Sequence, residues 1–354
     1  MFFLFGKKKI EKELADAGLL LVKSSCKNLP ISTVGMTPDK KCFVTAENAC
    51  FKMQNIQIPY IESAVENMAR SGMPILCTGV NASTLYGRCF NALKKRGYTV
   101  RLADTDPMLD KVCGWDIMAD CAKAELLKDM LGIMFHDDSD DSMAVLEAAV
   151  KECSDDLSYK AVFEMLSNED FIKNLNGSIS DPRTAVHRLR AEMFSYLPYF
   201  SEVPAFTISN HLKNKTALFV TADPNADSKL NCINMFLLKC YDALSDDTCT
   251  KITVFDNGCA EFIKEAIYTS AGYLYITDAA EEESDITVKF GKQPFVIASG
   301  MTDRNAYTHM IKLKRPSVID NHAYVYRRPP AYAEIRLLLP DEMHSLDSIE
   351  AGDA

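Results

Sequence analysis

The stretch Cys42–Pro59, CFVTAENACFKMQNIQIP, reads as a buried strand running into a loop and a helix, the order that opens a phosphate-binding unit. A phosphate loop needs the pattern G-x-x-x-x-G-K-[ST]. Its glycines let backbone N–H groups wrap the anion, its lysine reaches the terminal phosphates, and its hydroxyl ligates magnesium. Laid on Ala46–Met53, AENACFKM, the pattern places Ala46 and Phe51 at the glycines, Lys52 at the lysine and Met53 at the hydroxyl. Only the lysine agrees. A phenyl ring beside the phosphate position and a thioether in place of a metal ligand both oppose triphosphate binding.

Outward from this stretch, apolar runs of strand length alternate with helix-period segments. Strands are expected at 41–46, 74–79, 98–104, 216–222, 251–256, 272–277, 285–290 and 295–300. Several are apolar almost throughout, as strands covered on both faces of a parallel sheet are. The helices between the early strands stop at Gly72 and Gly97. Strand and helix in alternation predict right-handed crossovers and an α/β fold, an open, doubly wound, mainly parallel sheet flanked by helices. From 105 to 213 every segment is helix-period, with Pro182 where a first helical turn tolerates it, so an all-helical insertion is expected there. The organisation read from the sequence is a lead-in over 1–40, an α/β domain over 41–104 and 214–315, the insertion over 105–213, and an extended arm with an acidic tail over 316–354. There are no internal repeats.

Composition narrows the function classes. The 354 residues are 47% hydrophobic and 25% charged, enough for a large domain with an insertion. A net charge of -10 argues against a dedicated duplex-DNA binder, which needs a clear excess of Lys and Arg. Twelve cysteines without a C-x-x-C pair suit buried or half-buried free thiols in a cytoplasmic protein better than a disulfide frame or a zinc site. The opening MFFLF is too short for a membrane span and runs into GKKK, so neither a transmembrane segment nor a signal peptide is expected.

Over residues 7–256 the order of elements resembles the cytoplasmic ATPase domain of TraG-like conjugative coupling proteins of type IV secretion systems. That family has a RecA-like P-loop sheet carrying an all-helical insertion. KKIEKELADAGLL is similar to the family's lead-in, and CFV, eight loop positions and IQIP to its strand, phosphate loop and helix start. PILCTGVNASTLYGRCFNALKKRGYTVRLAD is similar to its second strand, D-P-K-G-E turn, helix, K-R-G-Y and third strand. GWDIM (114–118) sits where the family has W-N-P-L, LKNKTALFVTAD leads back to the sheet, and KITVFDNG looks like the Walker B strand.

The departures point one way. The D-P-K-G-E turn has become TGVNAST, without a carboxylate. Asp256 matches the magnesium-shell aspartate, but Asn257 stands where a glutamate would activate water, and losing a general base alone costs roughly 10²- to 10⁴-fold in rate. Beyond Gly258 the chain reads as too short for the family's remaining strands and sensor segments. The resemblance therefore implies a degenerate, mobile-element-related ATPase, with Lys52 and Asp256 vestigial and Ala46, Phe51, Met53 and Asn257 altered. ATP with magnesium is disfavoured, and no cofactor or metal is expected.

Each retained residue also has an ordinary reading. Lys52 reads as a surface lysine at a helix start or a residual anion ligand; Asp256 reads as a cap for the next helix or a remnant metal ligand. The acidic run HDDSDD (136–141) lacks the glycine and distal glutamate of a calcium loop and reads as a solvated loop capping the following helix. His187, with no second ligand at suitable spacing, reads as a structural histidine. From 289 to 315, Lys289, Lys292, Arg304, Lys312, Lys314 and Arg315 face one acid, Asp303, with Phe290, Phe295 and Tyr307 interleaved and Arg327 and Arg328 beyond. Such segregation suits either a lysine-protected sheet edge or a contact face for single-stranded nucleic acid or an acidic partner. Three functions stay open on the sequence: a non-catalytic scaffold with a protein partner, a nucleotide hydrolase with an unusual loop, and a nucleic-acid-binding module.

Overall fold

The computed structural model describes residues 20–23, 33–36, 42–45, 48–53, 58–103, 114–175, 177, 179–200, 206–245, 250–259, 262–278, 295–299, 322–326 and 332–342. Its strands are β1 (Leu20–Lys23), β2 (Thr33–Met36), β3 (Cys42–Thr45), β4 (Asn48–Met53), β5 (Ile75–Thr78), β6 (Thr99–Ala103), β7 (Thr216–Val220), β8 (Ile252–Asp256), β9 (Gly272–Asp278), β10 (Phe295–Ser299), β11 (His322–Tyr326) and β12 (Tyr332–Leu337). All belong to one sheet, ordered β1-β3-β2-β12-β11-β10-β4-β9-β8-β5-β7-β6.

The seven strands from β10 to β6 in that order form a parallel sheet flanked by helices, as the alternating pattern predicts. Every residue of β5, β7 and β8 is buried, and so are the last five of β4, the burial that parallel strands require. The other five strands are antiparallel to their neighbours. Two of them lie in the lead-in and two in the expected C-terminal arm, where β11 and β12 continue the sheet from β10.

Two sequence expectations need correction here. The opening stretch is not one strand with a loop: β3 pairs antiparallel with β1 and β2, and four strands separate it from β4. The region after Gly258 is long enough to supply two further parallel strands, β9 and β10. The expected strand at 285–290 lies outside the described residues.

The chain divides into two compact units, one of Met1–Val100, Asn214–Phe219 and Thr250–Ala354, the other of Arg101–Lys213 and Val220–Cys249. In the first, α1 (Ile58–Met68) is buried from Tyr60 to Met68, with β2 and α2 (Ala82–Lys95) among its neighbours. Burial of its Glu62 is offset by Arg88 of α2 at 3.3 Å. Gly72 and Gly97 take left-handed conformations just beyond these helices, as their expected role as stops requires.

The second unit is helical: α3 (Ile117–Asp120), α4 (Ala124–Met130), α5 (Asp140–Glu152), α6 (Tyr159–Met165), α7 (Glu169–Asn174), α8 (Pro182–Tyr196), α9 (Ile208–His211) and α10 (Ser228–Ala243). Side-chain caps start most of them: Asp116, Ser139, Ser158, Asn168, Asp181, Thr207 and Asp227 each accept a backbone N–H of the first turn. Pro182 occupies the first turn of α8. The acidic run caps α5 through Ser139, as expected, but Asp137 within it is buried, bonded to Ser139 N at 3.0 Å and to Ser142 Oγ. His187 stands exposed on α8, against its reading as a structural histidine.

Trp115 is fully buried, its Nε1 donating to Asp120 at 2.7 Å, and the same carboxylate accepts Ile208 N at 2.7 Å to fix α9. Asp116 accepts from Met118 N and Tyr159 N, tying α3 to α6. Eight free cysteines are described, seven buried and Cys232 half-buried. No helix among the described residues is long and apolar enough to cross a membrane.

Candidate functional site

Because β4, β9, β8 and β5 run parallel, their carboxyl ends share one edge, where open α/β sheets bind ligands. β8 ends there at Asp256, only 1% exposed, while Phe255 points to the other face and stacks on Tyr275 at 4.9 Å. Next to it β5 ends at Thr78, and the chain turns through Gly79 (φ 125°) into α2.

Asp256 is the hub of this corner. It accepts from Asn81 N at 3.1 Å, Asn81 Nδ2 at 3.3 Å and Gly258 N at 3.3 Å. A Cβ at Gly79 would sit 2.1 Å from its Oδ1, so only glycine admits the carboxylate this close to the turn. Burial pushes the Asp256 carboxyl up to about 6 against the opposing pull of those hydrogen bonds. Thr78 Oγ1 donates to Cys259 Sγ at 3.5 Å, and burial holds the thiols of Cys77 and Cys259 well above their ordinary value, so neither is a ready thiolate nucleophile. Of the two sequence readings for Asp256, capping has direct partners: the bond from Gly258 N caps the 3-10 turn Asn257–Cys259 that follows it, and the bonds from Asn81 hold the start of α2 as well. Asn257 follows it, exposed.

The structure does not bring Lys52 to Asp256. Residues 48–53, read in the sequence as loop, form β4, with Phe51 and Met53 fully buried and Lys52 only 5% exposed. β9 lies between β4 and β8. In its register Phe51 and Asp256 both align with Ile276, whereas Lys52 aligns with Thr277. Side chains alternate along a strand, so Asp256 and Lys52 project from opposite faces, two strand spacings or roughly 10 Å apart. The link between β4 and α1 is the four residues Gln54–Gln57, QNIQ, without glycine, lysine or hydroxyl, and Pro59 removes one N–H from the first turn of α1. The apolar run ACF with Met53 and the helix start at IPY were the sequence signal for this register; matching the lone lysine to a motif hid it.

Ala46 lies outside the described residues. So do Lys289, Lys292, Arg304, Lys312, Lys314 and Arg315 of the expected basic face. Among the described residues no group of three or more His, Cys, Asp or Glu could hold a metal ion.

No family model matches the chain, and no curated protein matches it in sequence. Solved structures do. VirB4 of Thermoanaerobacter pseudethanolicus superposes with a TM-score of 0.52 at 11% identity, over 88% of this chain and 97% of that one. The bacterial conjugative coupling protein TrwB, in a trigonal form with sulphate, gives 0.43 at 13% identity over 91% of this chain and 85% of that one. Its unbound monoclinic form gives 0.39 at 14% identity, over 78% of this chain and 80% of that one. The VirB4 likeness is one of fold, and it identifies the parallel sheet and its flanking helices as the RecA-like P-loop ATPase fold.

Proposed function

We propose that the chain is a non-catalytic relative of the type IV secretion and conjugative ATPases that keeps the RecA-like sheet as a scaffold for protein contacts. The observation that carries this reading is the placement of Lys52 and Asp256 on opposite faces of the sheet. A triphosphate with its magnesium needs a lysine and a carboxylate converging on one point. Asp256 is already committed to Asn81 and Gly258, and Asn257 offers no general base. The link Gln54–Gln57 also has no glycine, lysine or hydroxyl of the phosphate-loop pattern. On this reading the protein acts through a protein partner in the cytoplasm and needs no cofactor.

Calorimetric titration and thermal melts with millimolar Mg-ATP test it. The expected result is no heat of binding and an unchanged melting curve. A ligand at about 100 times its dissociation constant adds about 2.7 kcal/mol. Stabilisation of that order, removed by Lys52→Ala or Asp256→Asn, overturns the proposal.

A further inference from the structure

Cys121 and Cys240 come from segments far apart in the chain, yet both lie in the helical unit and both are fully buried. Their thiols are free and hydrogen-bond to each other. Cys121 closes α3, its N–H bonded to Ile117 O at 3.0 Å, directly after the Asp120 carboxylate that holds Trp115 and Ile208. Cys240 shares the buried face of α10 with Leu237 and Tyr241. Earlier on that helix Asn234 donates to Thr221 O at 2.6 Å. Both thiols therefore project from backbone that is anchored locally.

One buried thiol packs as a small apolar side chain. Two that touch differ, because bridging them needs side-chain rotation rather than backbone movement. Burial, the bond to Cys240 and the carboxylates of Asp120 and Asp116 all push the Cys121 thiol well above its ordinary value. Thiolate is therefore scarce in the folded ground state, and oxidation is slow because it waits on local opening. The equilibrium is governed differently. Once one sulfur is oxidised its partner is held at contact, and the native packing that aligns the two favours the closed pair.

We propose that Cys121 and Cys240 form a reversible redox pair, oxidised by a low-molecular-weight disulfide to a cross-link that staples α3 to α10. One cysteine, as thiolate, attacks a sulfur of the reagent RS–SR; the reagent's S–S bond breaks, one RS⁻ leaves and takes up a proton, and a mixed disulfide forms. The second cysteine then gives up its proton and attacks the protein sulfur, forming the intramolecular S–S bond and expelling the other RS⁻, which that proton converts to RSH. Two protein thiols lose two electrons and two protons, and RS–SR becomes two RSH. The cross-link closes a loop of about 120 residues and joins the two chain segments, 101–213 and 220–249, that build the helical unit. In a reducing compartment the pair stays open, so it closes when the ratio of disulfide to thiol rises. It is independent of the nucleotide question.

Glutathione buffers ranging from fully reduced to fully oxidised test this on the native full chain. Free thiols are trapped by alkylation, and digests are mapped by mass spectrometry. The expected result is a linked peptide joining Cys121 to Cys240 that forms over minutes to hours and disappears with dithiothreitol. Trp115, the single tryptophan of the chain, responds to the same event. Its ring is bonded to the residue before Cys121, so its fluorescence should fall as the nearby disulfide quenches it. The oxidised chain should melt about 5–10 °C higher, because the cross-link constrains the unfolded helical unit. Cys121→Ala and Cys240→Ala should each lack the linked peptide, the quenching and the rise in melting temperature. Absence of the linked peptide from the native wild type overturns the proposal, and so does a link that appears only in urea or that lowers the melting temperature. An equal rise in either alanine variant would trace it to other cysteines and overturn the proposal as well. The peptide map of the wild type needs no substitution, so it decides the matter even where an alanine variant fails to fold.

Discussion

Gly79→Ala puts the geometry of the sheet edge to a direct test. The new Cβ would lie 2.1 to 2.3 Å from all three atoms of the Asp256 carboxylate, at a φ of 125° that L side chains rarely adopt. Holding that backbone costs about 1–3 kcal/mol. Asp256 can retreat only by releasing Asn81 and Gly258, and hydrogen bonds to a charged group contribute about 1.5–3 kcal/mol each. Taken at their lower ends these give about 4 kcal/mol, concentrated where α2 begins, at the bonds Ala82 N to Gly79 O and Leu85 N to Asn81 O. Hydrogen exchange followed by mass spectrometry reads this locally: amides at the start of α2 should exchange roughly a thousandfold faster, at 1.4 kcal/mol per decade. Adding Asp256→Ala removes the clashing carboxylate, so the double variant should be less damaged than the sum of the singles by about 2 kcal/mol. A single-variant effect below about 1 kcal/mol, or strict additivity, would refute the reasoning.

Phe51→Ala should destabilise by about 3–5 kcal/mol in urea, because Phe51 is fully buried in β4; a loop residue would cost under about 0.5 kcal/mol. Asp256 and Asp116 both have folded values raised from 3.8 to about 6 by burial. A raised carboxyl gives stability that is fully present below pH 3.8 and lost as the pH climbs through 6, about 3 kcal/mol for each group at 1.36 per unit. Wild type should therefore lose stability relative to Asp256→Asn between pH 4 and 7, and a difference that is flat with pH would contradict the assignment. Trp115→Phe removes the 2.7 Å bond to Asp120 and should cost about 2 kcal/mol by circular dichroism, with faster exchange at Ile208 N, which shares that carboxylate.

Much of the architecture is legible residue by residue. The runs at 74–79, 216–222 and 251–256 are apolar because both faces of a parallel strand are covered, and they form β5, β7 and β8. Gly72, Gly97, Pro182 and Ser139 mark helix ends because left-handed φ, a fixed φ and a side-chain oxygen each act within one turn. The site is less legible. Lys52 looks like a motif lysine in one dimension, yet the pleat turns it to the face opposite Asp256. The bond from Asn81 to Asp256 joins residues 175 apart in sequence, beyond the reach of any local pattern.

By itself, then, the sequence determined the periodic elements and the helix stops. Tertiary structure decided that β3 joins the antiparallel strands, that β9 separates β4 from β8, and that Asp256 holds the start of α2. The division has a physical cause. Propensity, capping and side-chain period act over a few residues, whereas strand order and register are fixed by burial between segments far apart in the chain, and one residue of register turns a side chain to the other face.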